Sequence, residues 1–170
     1  MWVFDATPLI YLAKVDRLGL VEHIEGTCVS PQRVATEVVE TGLEQGYTDA
    51  RRIDRAVDDG TFETVEVDET PLFARLAENP NLSDADVAVL ACAESHDGIA
   101  VMDEACGRDV ATTEGITTRG TAFLVLQVAT HGHVGPDEAR TVIDAMVEEG
   151  WYCAPDVYAK LVQSIESIED

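Results

Sequence analysis

The sequence predicts a three-layer α/β/α domain with a central, mostly parallel sheet. Short apolar runs suited to buried strands alternate with amphipathic or apolar helical segments, the order that parallel strands joined by right-handed crossovers produce. At 170 residues the chain suffices for one domain with a real core and is short for two. Apolar residues make up 46% of it and run along its whole length, which excludes a disordered acidic tail.

Met1–Asp5 is apolar and ends in a carboxylate, and reads as the first strand. Thr7-Pro8 supplies an N-cap followed by proline at the first helical position, opening a short helix through Leu9, Ile10, Leu12 and Ala13. A second short helix is expected over Leu18–Ile24 and a second strand over Thr27–Val29. Ser30-Pro31 repeats the cap-plus-proline signal and opens a helix to Leu43, with Val34, Val38 and Val39 on its buried side. Ala50–Val57 reads as a helix with Ile53, Ala56 and Val57 inward, and Phe62–Val67 alternates as a strand with one wet face does. Thr70-Pro71 starts another helix, closed by Asn79-Pro80-Asn81, and Ser83 caps a strongly apolar one from Asp84 to Ser95. Gly98–Met102 is the next strand, Ala105–Ala111 a short helix, Ile116–Thr118 a final strand and Thr121–Thr130 an apolar helix.

Residues 1–132 are expected to form the domain proper and residues 133–170 a helical extension packed on it. The extension holds helices Pro136–Glu149 and Pro155–Ser167 around Gly150-Trp151-Tyr152-Cys153. Val142, Ile143, Met146 and Val147 give it an apolar face, for which packing back on the domain is expected and a homodimer surface is the alternative.

The net charge is −22, and only two of the eleven basic residues, Lys14 and Lys160, are lysines. High acid content with few lysines is the pattern of proteins from salt-accumulating halophiles, where a Debye length of ~3 Å at molar salt screens self-repulsion. Acidity therefore does not exclude a nucleic-acid partner. No stretch approaches the ~20 apolar residues of a membrane span. The N-terminus lacks a basic region followed by an apolar block, so no signal peptide and a cytoplasmic location are expected. Cys28, Cys92, Cys106 and Cys153 show no C-x-x-C spacing and are expected as buried thiols. His131 and His133 flank Gly132 after an apolar helix and read as a turn, not a metal site.

Most of the 33 acids are surface solvation; the informative ones lie next to apolar strand ends and helix starts. In open α/β sheets ligands bind outside the carboxyl ends of the strands. Asp5 ends the first strand, and Thr7-Pro8 already supplies the helix cap that would otherwise explain it. Asp103 follows the run Ile99–Met102, where capping of the next helix is a serious rival role, and Glu104 comes after it. Glu37, between Val34 and Val38, reads on pattern alone as an ordinary helical glutamate. Asp86 completes a capping box with Ser83, and Asp84 suits the positive end of the helix dipole.

The opening Phe4-Asp5-Ala6-Thr7-Pro8-Leu9-Ile10-Tyr11-Leu12 resembles that of PIN domains, in particular a branch of predicted nucleic-acid-binding PIN proteins. Val29-Ser30-Pro31 through Glu37, Leu82–Ala91, and Val101-Met102-Asp103-Glu104 with Gly107-Arg108 resemble the segments that carry that branch's other acids. Glu149-Gly150-Trp151-Tyr152-Cys153-Ala154-Pro155 is similar to its Gly-aromatic turn, so the resemblance spans nearly the whole chain. It implies an acidic quartet of Asp5, Glu37, Asp86 and Asp103, with Thr7, Asp84 and Glu104 as secondary candidates. Asp84 and Asp86 both fit the third place, and spacing to the alanine-rich helix favours Asp86. Where PIN nucleases usually carry Thr or a second Asp around the fourth acid, this chain has Met102 before Asp103 and Glu104 after it.

The resemblance further implies a Mg²⁺- or Mn²⁺-dependent ribonuclease, since hard divalent cations prefer carboxylate oxygens. Asp5 and Asp103 would be direct ligands, with Glu37 and Asp86 holding surrounding water or a second ion. Arg108 and Arg119 are expected near the mouth as RNA contacts, while Arg51, Arg52 and Arg55 either grip phosphate or pair with Asp54, Asp58 and Asp59. Many small PIN proteins are toxins neutralised by a small antitoxin protein, a partner this reading allows. Two alternatives stand beside it: a PIN-fold nucleic-acid-binding module with little turnover, and an unrelated α/β enzyme whose acids serve as caps.

Overall fold

The computed structural model describes residues 1–168. Its strands are β1 (Trp2–Phe4), β2 (Cys28–Pro31), β3 (Glu63–Val65), β4 (Ile99–Val101) and β5 (Thr117–Arg119), forming one sheet in the order β3-β2-β1-β4-β5. Every pairing is parallel, so the sheet is wholly and not just mostly parallel. Strands β1, β2 and β4 are almost wholly buried, as expected for strands covered by helices on both faces, whereas the edge strands β3 and β5 are largely in water.

Helices α1 (Ala6–Lys14), α2 (Gln32–Glu44), α3 (Thr48–Asp58), α4 (Pro71–Ala77), α5 (Asp84–Ser95), α6 (Ala105–Glu114), α7 (Thr121–Thr130), α8 (Pro136–Glu148) and α9 (Pro155–Glu166) complete the layers. Alternation along β1 divides the core. Trp2 and Phe4 face a layer with Leu9 and Leu12 of α1, Ile53 of α3, and α7, α8 and α9. Val3 faces the opposite layer with Leu72 and Leu76 of α4, Val89 and Leu90 of α5 and Ala111 of α6. Helix α2 contributes to both, Val34 to one core and Val38 and Val39 to the rim of the other. From Asp86 to Ala93 every residue of α5 is buried, which is why that stretch carries no wet stripe.

From β1 the chain builds β2 and β3 on one side, then crosses to β4 and β5 on the other. The order reverses between β1 and β4, and at that point the carboxyl ends of the two strands leave a crevice. Phe4 is in register with Val101, and Asp5 N–H donates to Val101 O at 3.0 Å, carrying the ladder one residue past β1.

Several local expectations are corrected. Asp5, not Thr7, caps α1, and Thr7 and Pro8 lie inside its first turn. Ser30 and Pro31 end β2, so that Pro31 and not Ser30 stands at the N-cap of α2, with no side-chain capping bond, and the Ser30 hydroxyl donates to Phe4 O at 3.1 Å. A residue before proline is held extended, which suits a strand end as well as a cap. The segment expected as a helix at Leu18–Ile24 is a 3₁₀ turn over Leu18–His23, and the strand expected over Phe62–Val67 shrinks to Glu63–Val65 at the sheet edge. Cys28 and Cys92 are buried thiols, but Cys153 is half-buried and Cys106 exposed. Ala139, Val142, Ile143 and Met146 of α8 are buried against α7 and α9, while Val147 stays exposed.

Candidate functional site

The end of β1 delivers Asp5 into the crevice, where it is only 5% exposed. One carboxylate oxygen accepts from Ala6 N–H at 2.8 Å, capping α1; the other has no hydrogen-bond partner among the described residues. Capping does not explain the residue fully. Burial pushes the Asp5 carboxyl up to about 6 from 3.8, against the lowering effect of the Ala6 N–H, and the negative charges of Asp86, Glu104 and Asp103 push it the same way.

Helix α5 supplies Asp86. Ser83 Oγ accepts from Asp86 N–H at 3.0 Å and Asp86 Oδ2 accepts from Ser83 N–H at 2.8 Å, a complete capping box. The box turns Asp86 inward to 8% exposure beside Asp5, while Asp84 points to water. Helix α2 brings Glu37 to the opposite wall with its side chain exposed, and Glu104 enters from the start of α6, where it makes no capping hydrogen bond. Asp5, Thr7, Glu37, Asp86 and Glu104 thus line one cavity of about 480 Å³.

Asp103 is held differently. It does not cap α6, as the sequence suggested; its Oδ1 accepts from Thr121 N–H at 2.8 Å, and its Oδ2 from Thr121 Oγ1 at 2.7 Å and Trp151 Nε1 at 3.1 Å. Gly120 permits this approach, since a Cβ there would stand 3.0 Å from Asp103 Oδ1. Asp103, expected beside the other three acids, does not line the acidic cavity; it lines a second one of about 440 Å³ together with Arg108 and Arg119, near enough to Asp5 for its charge to be felt there. Its neighbour Met102 is wholly buried and packs where Gly107 leaves room: a Cβ at Gly107 would come within 2.9 Å of the Met102 methyl.

The arginines of α3 do not present a joint phosphate grip. Arg52 donates to Ala13 O at 2.7 Å and Lys14 O at 3.1 Å and pairs with Asp16 at 3.5 Å, so it closes the end of α1. Sequence reasoning missed Lys14, which lines the acidic cavity beside Tyr47 and Asn81. The signal was present: Thr7, Ile10 and Lys14 fall on one face of α1, and Lys14 is one of two lysines in the chain.

By donor type these residues suit a hard divalent cation: they are carboxylates gathered in one cavity, and among them Asp5 is raised first by burial and then by its acidic neighbours. Among the described residues no three His, Cys, Asp or Glu side chains stand close enough to hold one ion between them. Mg²⁺ needs no such cage, since it commonly keeps several waters and takes one or two carboxylates plus substrate phosphate.

Fold and cavity together define a class: a three-layer α/β/α domain with an acidic cavity at the switch point of its parallel sheet. Residues 1–167 match the family DUF3368, described as a PIN domain, and the chain belongs to that family. No curated protein and no solved structure matches it. The fold is therefore nuclease-like, of a kind that generally uses divalent metal and is suited to nucleic acid. Among the described residues no helix is long and apolar enough to cross a membrane.

Proposed function

We propose that this protein hydrolyses RNA phosphodiester bonds at the acidic cavity, using Mg²⁺ or Mn²⁺. The observation that carries this reading is Asp5: a buried carboxylate at the switch point, raised to about 6 by burial and by acidic neighbours, with no ion-pair partner among the described residues. Such crowding is costly unless a cation offsets it.

Asp5 and Asp103 would hold the ion, as carboxylates flanking the crevice from β1 and β4. Each carboxylate oxygen has two lone pairs, so Asp103 Oδ1, which accepts only from Thr121 N–H, keeps one free. Thr121 and Trp151 fix its orientation, the part that outer hydrogen bonds play around metal ligands. Asp86 closes the buried side, while Glu37 and Glu104 on the open side accept hydrogen bonds from water and orient it toward the phosphate. Lys14 offsets phosphate charge. A bound divalent ion supplies Lewis-acid activation of water and neutralises charge on the scissile group.

The test is cleavage of labelled single-stranded RNA with Mn²⁺ in molar KCl. Wild type should cut, and Asp5→Asn should lose at least about 100-fold, since loss of a ligand exceeds the 10–100-fold of outer-shell changes. Equal cutting by both would overturn the assignment of the site. One observation favours a nucleic-acid-binding module with little turnover instead: no three acids converge on a single point among the described residues. RNA binding with metal-dependent stabilisation but no cutting would establish that second reading.

A further inference from the structure

The second cavity, beyond Asp103, differs in chemistry from the rest of this acidic surface. Its volume of about 440 Å³ falls within the ~300–1,000 Å³ of ligand sites, and its wall combines Phe123, Trp151, Tyr152 and Val157 with Arg108 and Arg119. Tyr152 is 84% exposed, Val157 44% and Phe123 39%, so three of the large apolar side chains left in water meet in one place. The Arg119 guanidinium lies over the Phe123 ring, 4.9 Å from its centroid. Neither Arg108 nor Arg119 forms an ion pair among the described residues, in a chain whose net charge is −22.

Arg119 donates to Thr118 O at 2.8 Å, but neither guanidinium has an anion among the described residues, and exposed aromatic faces beside such groups have complementary needs. The rings gain from a flat apolar partner, and the cations from an anion. Unpaired nucleotides supply both, the base for stacking and the phosphate for the arginines. Duplex bases are already stacked on one another and closed to such contact. The cleft is also joined to the acid site, because Trp151 Nε1 donates to Asp103 at 3.1 Å and Tyr152 is the next residue.

We propose that this cleft binds an unpaired nucleotide of single-stranded nucleic acid next to the scissile phosphate, with Tyr152 and the Phe123–Arg119 pair stacking its base and Arg108 contacting backbone phosphate. This rests on the nuclease reading for its position and not for its chemistry: binding can be measured without cleavage.

The experiment is fluorescence anisotropy of a labelled single-stranded oligouridylate and of a hairpin-closed RNA duplex across a KCl series, in the Asp5→Asn background so that cutting does not intervene. Tyr152→Ala should weaken single-strand binding by roughly 5- to 150-fold, the loss of one base stack, and Tyr152→Phe should restore it. Arg108→Ala should instead lower the salt slope by ~0.7, the loss of one phosphate contact on a single strand. At its exposure Tyr152 can be replaced without unfolding the protein, which circular dichroism checks. Unchanged binding in Tyr152→Ala, or duplex bound as tightly as single strand, would overturn the cleft and leave the nuclease reading standing. Tyr152-dependent binding with no cutting by wild type would uphold the cleft and sink the nuclease reading. A wild-type dimer that Tyr152→Ala dissociates, with nucleic-acid binding unaffected, would assign the face to a second copy instead.

Discussion

Asp103 and Glu104 are adjacent in the chain and border adjoining cavities, yet they are held in opposite ways. Asp103 accepts three hydrogen bonds from two residues that the fold brings from far along the chain, and its carboxylate has one orientation. Glu104 is exposed, makes no capping bond at the start of α6 and faces the acidic cavity with its side chain free. The contrast extends to the cavities themselves. One is an acidic pocket in which burial and acidic neighbours raise the Asp5 carboxyl; the other is an aromatic and arginine-lined cleft whose single acid, Asp103, is oriented by Thr121 and Trp151. A nuclease needs both kinds of surface, one for the charge of the reacting phosphate and one for the strand beside it. On the proposed reading, their meeting at one pair of residues would put chemistry and grip within one turn of chain.

The sharpest way to break the comparison is through pH. In the metal-free protein Asp5 has a folded-state value of about 6 against 3.8, so its contribution to stability is fully present below about 4 and is lost as pH rises through 6. The loss amounts to about 3 kcal/mol if the shift is fully expressed. Asp5→Asn, which keeps an oxygen for Ala6 N–H, should flatten the stability profile in urea melts between these pH values. Mn²⁺ should raise the wild-type profile above pH 6 and leave that of Asp5→Asn unmoved; a shift of equal size in both proteins would remove Asp5 from the cation site.

A second test sets the neighbours against each other. Asp103→Ala leaves the buried Thr121 hydroxyl and Trp151 N–H without their acceptor and should cost about 2 kcal/mol of stability. Glu104→Ala, which removes no hydrogen bond, should stay within about 0.5 kcal/mol in the same denaturation assay while weakening Mn²⁺ stabilisation. If Glu104→Ala proved the more destabilising, Glu104 would be the anchored acid and Asp103 the free one. An effect between those two is expected at Ser83. Ser83→Ala removes one half of the α5 capping box, at about 1 kcal/mol, and should lower Mn²⁺ affinity only through a looser Asp86.

Legibility in the sequence followed the range of the interaction. The α5 capping box was readable because both partners lie within one helical turn, and the same box explains why Asp86 rather than Asp84 turns inward. The role of Asp5 was half readable: a carboxylate ending a buried strand pointed to the crevice, but Thr7-Pro8 drew the cap away from it. Local propensity could not decide between two adjacent caps, because the choice depends on where β1 ends against Val101 of a distant strand. Arg52 reads as one of three surface arginines until the packing of α3 on α1 puts the carbonyls of Ala13 and Lys14 within its reach.

By itself the sequence determined the alternation of strands and helices, hence the layered parallel sheet and the placing of acids at strand ends. Those follow from hydrophobic periodicity and from the backbone's own need for hydrogen bonds, both local in sequence. Only the tertiary structure decided which acids share a cavity. It turned Asp103 toward Thr121, 18 residues on, and Trp151, 48 residues on, and left Glu104 facing Asp5 and Asp86. It also gathered Tyr152, Phe123, Arg108 and Arg119 into one cleft. Side-chain direction at such points depends on which donors and rings the packing brings close, and no window of sequence contains both partners.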